Sequence, residues 1–175
     1  MGRVLVVCEK PTAAKRIAEA LDEGLKPRAF RERNVPYYVA RHGESELVVV
    51  SALGHLFTLT QSRGSWIYPV FDIKWVPAYT VDKESRTRNF VEVIGKLSAG
   101  AGEYISACDY DIEGSLIAYT ILRYICGEES LKRARRMKFS TLTKRDLQRA
   151  FEERMPTLDF PLIYAGKARH EVDFL

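Results

Sequence analysis

The hexapeptide Asp109-Tyr110-Asp111-Ile112-Glu113-Gly114 sets three carboxylates at alternate positions, directly after the apolar run Tyr104 to Cys108 and at the start of a helical pattern. An apolar interior cannot hold such a group, which requires solvent, a cation or both. At the end of a buried strand, a magnesium site is the leading account. Crowded carboxylates raise one another's pKa unless a divalent ion neutralises them. Magnesium prefers one or two carboxylates plus water and phosphate oxygens, so the chemistry indicated is metal-assisted work on a phosphodiester. Two other readings compete. Asp109, Asp111, Glu113 and Gly114 match the first half of an EF-hand loop, but Thr120 stands where the last ligand should be and a strand precedes the loop. An acidic turn that merely caps a helix stays open, since Asp and Glu favour helix N-termini.

Other residues could join this chemistry. Glu9 ends a first apolar strand, and in open parallel sheets ligands gather beyond the carboxyl ends of the strands. If the two strands are neighbours, Glu9, Asp109 and Asp111 meet at one edge, with Glu113 one step on at the helix start. Glu9 could then stay partly protonated and serve as a general acid, and Lys10 is placed to contact a phosphate. His55 follows a strand and is a further candidate, although a structural histidine is the simpler account. Between Lys132 and Arg149 stand Lys132, Arg133, Arg135, Arg136, Lys138, Lys144, Arg145 and Arg149 against one acid, Asp146. Such a stretch could hold phosphates or form a solvated helix face. The aromatics from Trp66 to Tyr79 could stack on bases, with packing of the loop as the plainer reading. Walker-type phosphate loops and the GxGxxG fingerprint are absent.

The elements that must position these groups follow from periodicity. Val4 to Cys8 is a continuous β-branched run, as expected of a strand buried on both faces. Pro11 suits a first helical turn, and Ala14, Ile17, Ala18 and Leu21 line one face of a helix from Thr12. Residues 22–34 are charged and irregular. Tyr37 to Arg41 and Glu46 to Ser51 read as a β-hairpin, and Gln61 to Lys83 as a long ordered loop. A helix from Glu84 to Leu97 follows, then the strand ending at Cys108 and a helix from Glu113 to about Ile125. A short strand over Arg136 to Phe139 comes next, then a helix capped by Thr143, and a last helix from about Pro161 that still runs at Leu175. That final pattern has no cap and reads as a cut chain. Alternating buried strands and helices predict an α/β fold with a mainly parallel central sheet, helices on both faces, an added β-hairpin and a long loop.

The bulk numbers fit one domain of a globular protein: 175 residues, 46% hydrophobic, 29% charged, net charge +4. Three cysteines lack CxxC spacing, so neither a zinc site nor a disulfide framework is indicated. Met1-Gly2-Arg3 runs straight into a strand pattern without a signal peptide, and no apolar stretch is long enough to span a bilayer. A cytoplasmic protein with no membrane partner is expected.

Taken in order, Val4 to Pro11, the Gly54-His55 pair, Asp109 to Gly114, Phe139-Ser140 with Thr143-Lys144, and Ala165 to Leu175 resemble the N-terminal part of type IA DNA topoisomerases. The archaeal and topoisomerase III-like branches look nearest. The resemblance implies a Toprim domain, a Rossmann-like sheet, over residues 1–158, with 159–175 starting the helical connection to a following domain. It implies Mg2+ as cofactor, with Asp109 and Asp111 as ligands and Glu113 as an accessory acid. Glu9 resembles the glutamate proposed to move a proton at the 3′-oxygen, and Lys10 the basic residue beside it. His55, Lys144, Arg145 and Arg169 are the implied DNA contacts. Single-stranded DNA and the remaining topoisomerase domains are the implied partners, with a monomer expected. Two departures stand out: Ile112 where many members carry Arg, and Ser115 where an acid follows the glycine. The nucleophilic tyrosine of such enzymes lies in a later domain, and no tyrosine here has its setting, so the chain alone should not relax DNA. A stand-alone Toprim nuclease or primase-like protein and a non-catalytic nucleic-acid-binding module are the alternatives.

Overall fold

The computed structural model describes residues 2–64 and 69–175. Its centre is a six-stranded sheet built from β1 (Gly2–Cys8), β2 (Arg28–Glu32), β3 (Val35–His42), β4 (Ser45–Ser51), β7 (Ala101–Ser106) and β8 (Ala134–Arg136), in the order β2-β3-β4-β1-β7-β8. β4, β1, β7 and β8 run parallel; at one side β3 is antiparallel to β4, and β2 pairs antiparallel with β3. A separate two-stranded antiparallel ribbon pairs β5 (Phe57–Gln61) with β6 (Ile73–Pro77). The expected α/β architecture is what the chain adopts.

Strand alternation sends β1 into two cores. Leu5 and Val7 join Val48, Val50 and Tyr104 beneath α3 (Thr87–Ser98) and α4 (Ile112–Ile121). Val4, Val6 and Cys8 face the other way, against Ile17, Ala18 and Leu21 of α1 (Pro11–Leu21) and Leu147 and Phe151 of α6 (Lys144–Glu152). With both faces covered, β1 has no polar side to show, which is why its sequence is a continuous apolar run. Each fully buried Leu or Ile here is worth about 1.5–3 kcal/mol of burial. α4 is apolar almost all round, with Leu116, Ile117, Ala118 and Ile121 buried, because it lies between the sheet and α7 (Phe160–Phe174). Gly166 lets α7 approach closely. A Cβ there would stand 3.0 Å from Ile112 Cγ2 and 3.1 Å from the Ile112 carbonyl.

Four expectations about elements are corrected. Residues 22–34 are not irregular throughout, because β2 occupies Arg28–Glu32. It escapes the pattern as an edge strand exposed over most of its length, so no apolar alternation marks it. Its two-residue turn places Arg33 (φ 49°) and Asn34 (φ 64°) in the left-handed region, as a tight hairpin requires. The stretch Gln61 to Lys83 is not a loop alone; it contains β6 and a single-turn α2 (Ala78–Val81). Trp66 of that stretch lies outside the described residues. The helix from 113 does not run evenly to 125, since the backbone widens to a π-turn over Leu122–Cys126 and ends at Gly127 (φ 93°). A short α5 (Glu128–Lys132) follows, and the last strand, β8, covers Ala134–Arg136 rather than 136–139. Met137 follows it, buried against the α1 side of the sheet, its N–H donating to Ser106 O at 2.9 Å.

Candidate metal and phosphate site

Because β1, β4 and β7 are parallel neighbours, the turns after them open onto one edge of the sheet. Backbone bonds carry the pairing past the strand ends: Ala107 N–H donates to Val7 O (2.8 Å) and Ala52 N–H to Cys8 O (2.7 Å). The edge therefore receives Glu9 from β1, Asp109 from β7 and the 52–56 segment from β4. The condition that the sequence left open, adjacency of the two acid-bearing strands, is met.

At this edge Lys10 Nζ lies 3.2 Å from Asp109 Oδ2. Glu9 is pushed above the usual carboxylate range, first by burial and then by the charge on Asp109; Lys10 opposes this, and Asp111 adds to it. Glu9 thus holds a proton more readily than an ordinary glutamate. Asp111 is the N-cap of α4: its Oδ1 accepts from Gly114 N–H at 2.6 Å. The helix-cap reading of the hexapeptide therefore describes Asp111 accurately, without removing it from the acidic edge. Cys8 and Cys108 lie beneath, fully buried, and burial pushes the Cys108 thiol up to about 12. Neither is a nucleophile.

Glu113 turns elsewhere. Its Oε2 accepts from His55 Nε2 (2.7 Å) and His170 Nε2 (2.9 Å), while Arg169 Nη1 stands 4.0 Å from Oε1. Burial raises its pKa, but the bonds from His170 and His55 outweigh burial and hold it below the usual range. Among the described residues, His55, Glu113 and His170 are the one group of three side chains whose ligating atoms all lie within 4.8 Å of one another. Glu9, Asp109 and Asp111 do not close to that distance as a set. Their donors are nevertheless all carboxylate oxygens, and after burial it is the charges of Asp109 and Asp111, against Lys10, that raise Glu9. That donor set fits a hard, partly hydrated cation such as magnesium.

The basic stretch does not form one patch. Arg136 is buried, 1% exposed, and is a structural prop rather than a phosphate ligand. Its Nη1 donates to Cys108 O (2.8 Å) and Ser106 Oγ (3.0 Å), and its Nη2 to Asp109 O (2.8 Å). Lys132 pairs with Glu129, Arg135 with Glu103 and Arg149 with Asp146. Lys144 and Arg145 are exposed at the start of α6, Lys144 beside Arg16 and Glu19 in a shallow cavity away from the acids. Lys138 does reach the acidic edge: its Nζ lies 4.5 Å from the centre of the Tyr110 ring. A groove of about 680 Å³ runs there, lined by Lys10, Thr12, Asp109, Tyr110, Lys138 and Ser140. Of the aromatic segment, Trp75 packs against His170 (ring centroids 5.9 Å) and the core under α3.

Two residues of consequence were not singled out from the sequence. His170 lies on the α7 stripe that also carries Ile163 and Gly166, a helical spacing that could have flagged it. Asp146, noted only as the one acid in a basic run, ties down the groove wall, its Oδ2 accepting from Thr141 N–H (2.8 Å) and Ser140 N–H (3.0 Å). The Thr141 backbone bond leads in holding Asp146 below the usual carboxylate range, with Ser140, Arg149 and the Thr141 hydroxyl adding to it. A group depressed in the folded state gives stability that is present above its unfolded pKa and lost as pH falls through the folded one. Acid titration followed by circular dichroism should therefore show a loss of stability below about pH 4 that is smaller in Asp146→Asn. An unchanged acid limb in that variant would remove Asp146 from this role.

The Toprim domain family model matches residues 4–142. A DNA topoisomerase 1 from Methanocaldococcus jannaschii is 45% identical over 97% of this chain and 22% of its own length. One from Pyrococcus horikoshii is 43% identical over 98% and 25%. A putative DNA topoisomerase 3 from Staphylococcus aureus is 28% identical over 99% and 24%. The chain thus spans about a quarter of the length of these curated relatives. With the family match running from the first core strand through both acid-bearing turns to the segment before α6, the chain belongs to the Toprim domain family.

Proposed function

We propose that this chain is the Toprim portion of a type IA DNA topoisomerase of the archaeal, topoisomerase III-like kind, acting in the cytoplasm on single-stranded DNA. The observation that carries the reading is the meeting of Glu9 and Asp109 at the ends of adjacent parallel strands, with Asp111 beside them. The names of the relatives support it. Asp109 and Asp111 are the residues that would hold magnesium, which when bound neutralises the carboxylates and lets a phosphodiester approach. Glu113, the accessory acid, is held by His55 and His170, so the main load falls on the aspartates. Glu9, with its raised affinity for a proton, handles the proton on the 3′-oxygen during cleavage and rejoining. Lys10 and Lys138 offer positive charge to a strand lying in the groove beside Tyr110, while Arg169 beside Glu113 is a further phosphate contact. Residues 159–175 would lead into the following domain. None of the tyrosines here has the setting of the nucleophile that such enzymes use, so on this reading the chain alone should not relax DNA.

The test uses the full-length protein that carries this chain. It should relax negatively supercoiled plasmid in the presence of magnesium, and Asp109→Ala with Asp111→Ala should abolish magnesium-dependent rejoining and relaxation. Unchanged relaxation in the double variant would overturn the assignment. Magnesium-dependent nicking of plasmid by the 175-residue chain itself would favour a tyrosine-independent nuclease instead.

A further inference from the structure

Two of the three histidines in this chain meet the same carboxylate oxygen. His55 and His170 approach Glu113 Oε2 through their Nε2 atoms at 2.7 and 2.9 Å, and their rings stand 4.9 Å apart between centroids. The three side chains come from separate places: the segment between β4 and β5, the first turn of α4, and the C-terminal half of α7. Each is about one third exposed (29%, 38% and 32%), so an ion can enter from solvent and keep a water on its open side.

We propose that His55, Glu113 and His170 form a binding site for a divalent first-row transition ion of the zinc class, separate from the Asp109–Asp111 pair. The donor types decide the class. Two imidazole nitrogens and one carboxylate oxygen make the set that zinc accepts with a water in its fourth position. Magnesium and calcium favour oxygen donors throughout. With metal–ligand lengths of about 2.0–2.2 Å, tetrahedral donors sit roughly 3.4 Å apart, so each histidine nitrogen must draw back from Glu113 Oε2 by about 0.5–0.7 Å. On binding, each Nε2 gives up the proton it now donates to Glu113 and the imidazole ligates as the Nδ1–H tautomer, while the carboxylate supplies the one negative charge. Arg169 near the second carboxylate oxygen and Trp75 against the His170 ring stand around the site as outer partner and apolar wall. An ion here would pin α7 to α4 and to the segment after β4. The site concerns the chain itself and does not rest on the topoisomerase reading.

The chain is stripped with chelator and titrated with Zn2+ by calorimetry in excess Mg2+, which fills oxygen-only sites; Co2+ serves as the optical probe. One Zn2+ per chain, visible Co2+ d–d absorption and a rise in Tm on adding Zn2+ are expected. All three should persist in Asp109→Asn with Asp111→Asn. His55→Ala and His170→Ala should each weaken Zn2+ binding by more than the ~10–100-fold that loss of an outer partner costs. Glu113→Gln, which leaves both histidines a hydrogen-bond acceptor, should do the same while preserving the fold if a histidine variant does not. Parent-like zinc affinity in folded His170→Ala or Glu113→Gln, loss of binding with the aspartate pair, or no zinc bound by the parent would each overturn the proposal.

Discussion

Arg136→Met should destabilise the chain by about 3–5 kcal/mol, read as a shift in the urea midpoint with unchanged slope. Two magnitudes compete. Burying the guanidinium is unfavourable, and desolvation lowers its pKa, so methionine gains by removing a buried charge. Replacing a buried ionic group by an apolar one of similar size is often neutral, but only when its partners go with it. Here the partners are backbone carbonyls of Cys108 and Asp109 and the Ser106 hydroxyl, which stay behind. Asp109 O still accepts from Asp111 N–H (2.9 Å), but Cys108 O and the Ser106 hydroxyl lose their donor; each buried group left unpaired costs about 1–3 kcal/mol, and the two together outweigh the gain. A folded domain has only about 5–15 kcal/mol in total, so the variant should sit near the limit of stability. Arg136→Lys should recover part of the loss at most, because one ammonium cannot span carbonyls that the planar fork reaches with two nitrogens. A midpoint for Arg136→Met within about 1 kcal/mol of the parent would show that the prop is dispensable.

Arg136 also marks where sequence reasoning stopped. Within Lys132 to Arg149 nothing in the spacing separates the one arginine turned inward from its neighbours, because the signal is its partners, which are carbonyls some thirty residues earlier in the chain. Continuous apolar runs, by contrast, made β1 and β7 legible, and with them the edge where Glu9 and Asp109 meet. β2 and β6 were not legible. An edge ribbon exposed along most of its length and a small strand among turn residues carry no apolar period. The acids at 109, 111 and 113 could be read as a group, but not their division of labour. Asp111 caps a helix and Glu113 faces two histidines, one brought by α7 from 57 residues away. Tertiary packing decides those directions, and alternation along the chain does not contain them.

The second large effect comes from the smallest residue of the acidic turn. Gly114 has no need of an unusual backbone; what it needs is space. A Cβ built on it would stand 2.2 Å from Asp109 O and 3.0 Å from the Asp109 carbonyl carbon and nitrogen. Helix propensity alone would favour alanine here by about 1 kcal/mol. The clash reverses that sign, because its target is main chain that cannot rotate aside. Asp109 would have to move, and the Asp109 carbonyl is the one held by Arg136 Nη2. Strain of about 1–3 kcal/mol adds to a weakened charge-assisted hydrogen bond of about 1.5–3 kcal/mol. Gly114→Ala should therefore lose about 2–4 kcal/mol net of propensity. It should also displace Asp109 from Lys10 and Glu9, so the full-length protein should lose the magnesium-dependent relaxation proposed for it even where it remains folded. Ser115→Ala is the control, since Ser115 is buried with an unpartnered hydroxyl in the same turn and its loss should be close to neutral. Parent-like stability and activity in Gly114→Ala would mean that the acidic turn is looser than the contact between Gly114 and Asp109 makes it.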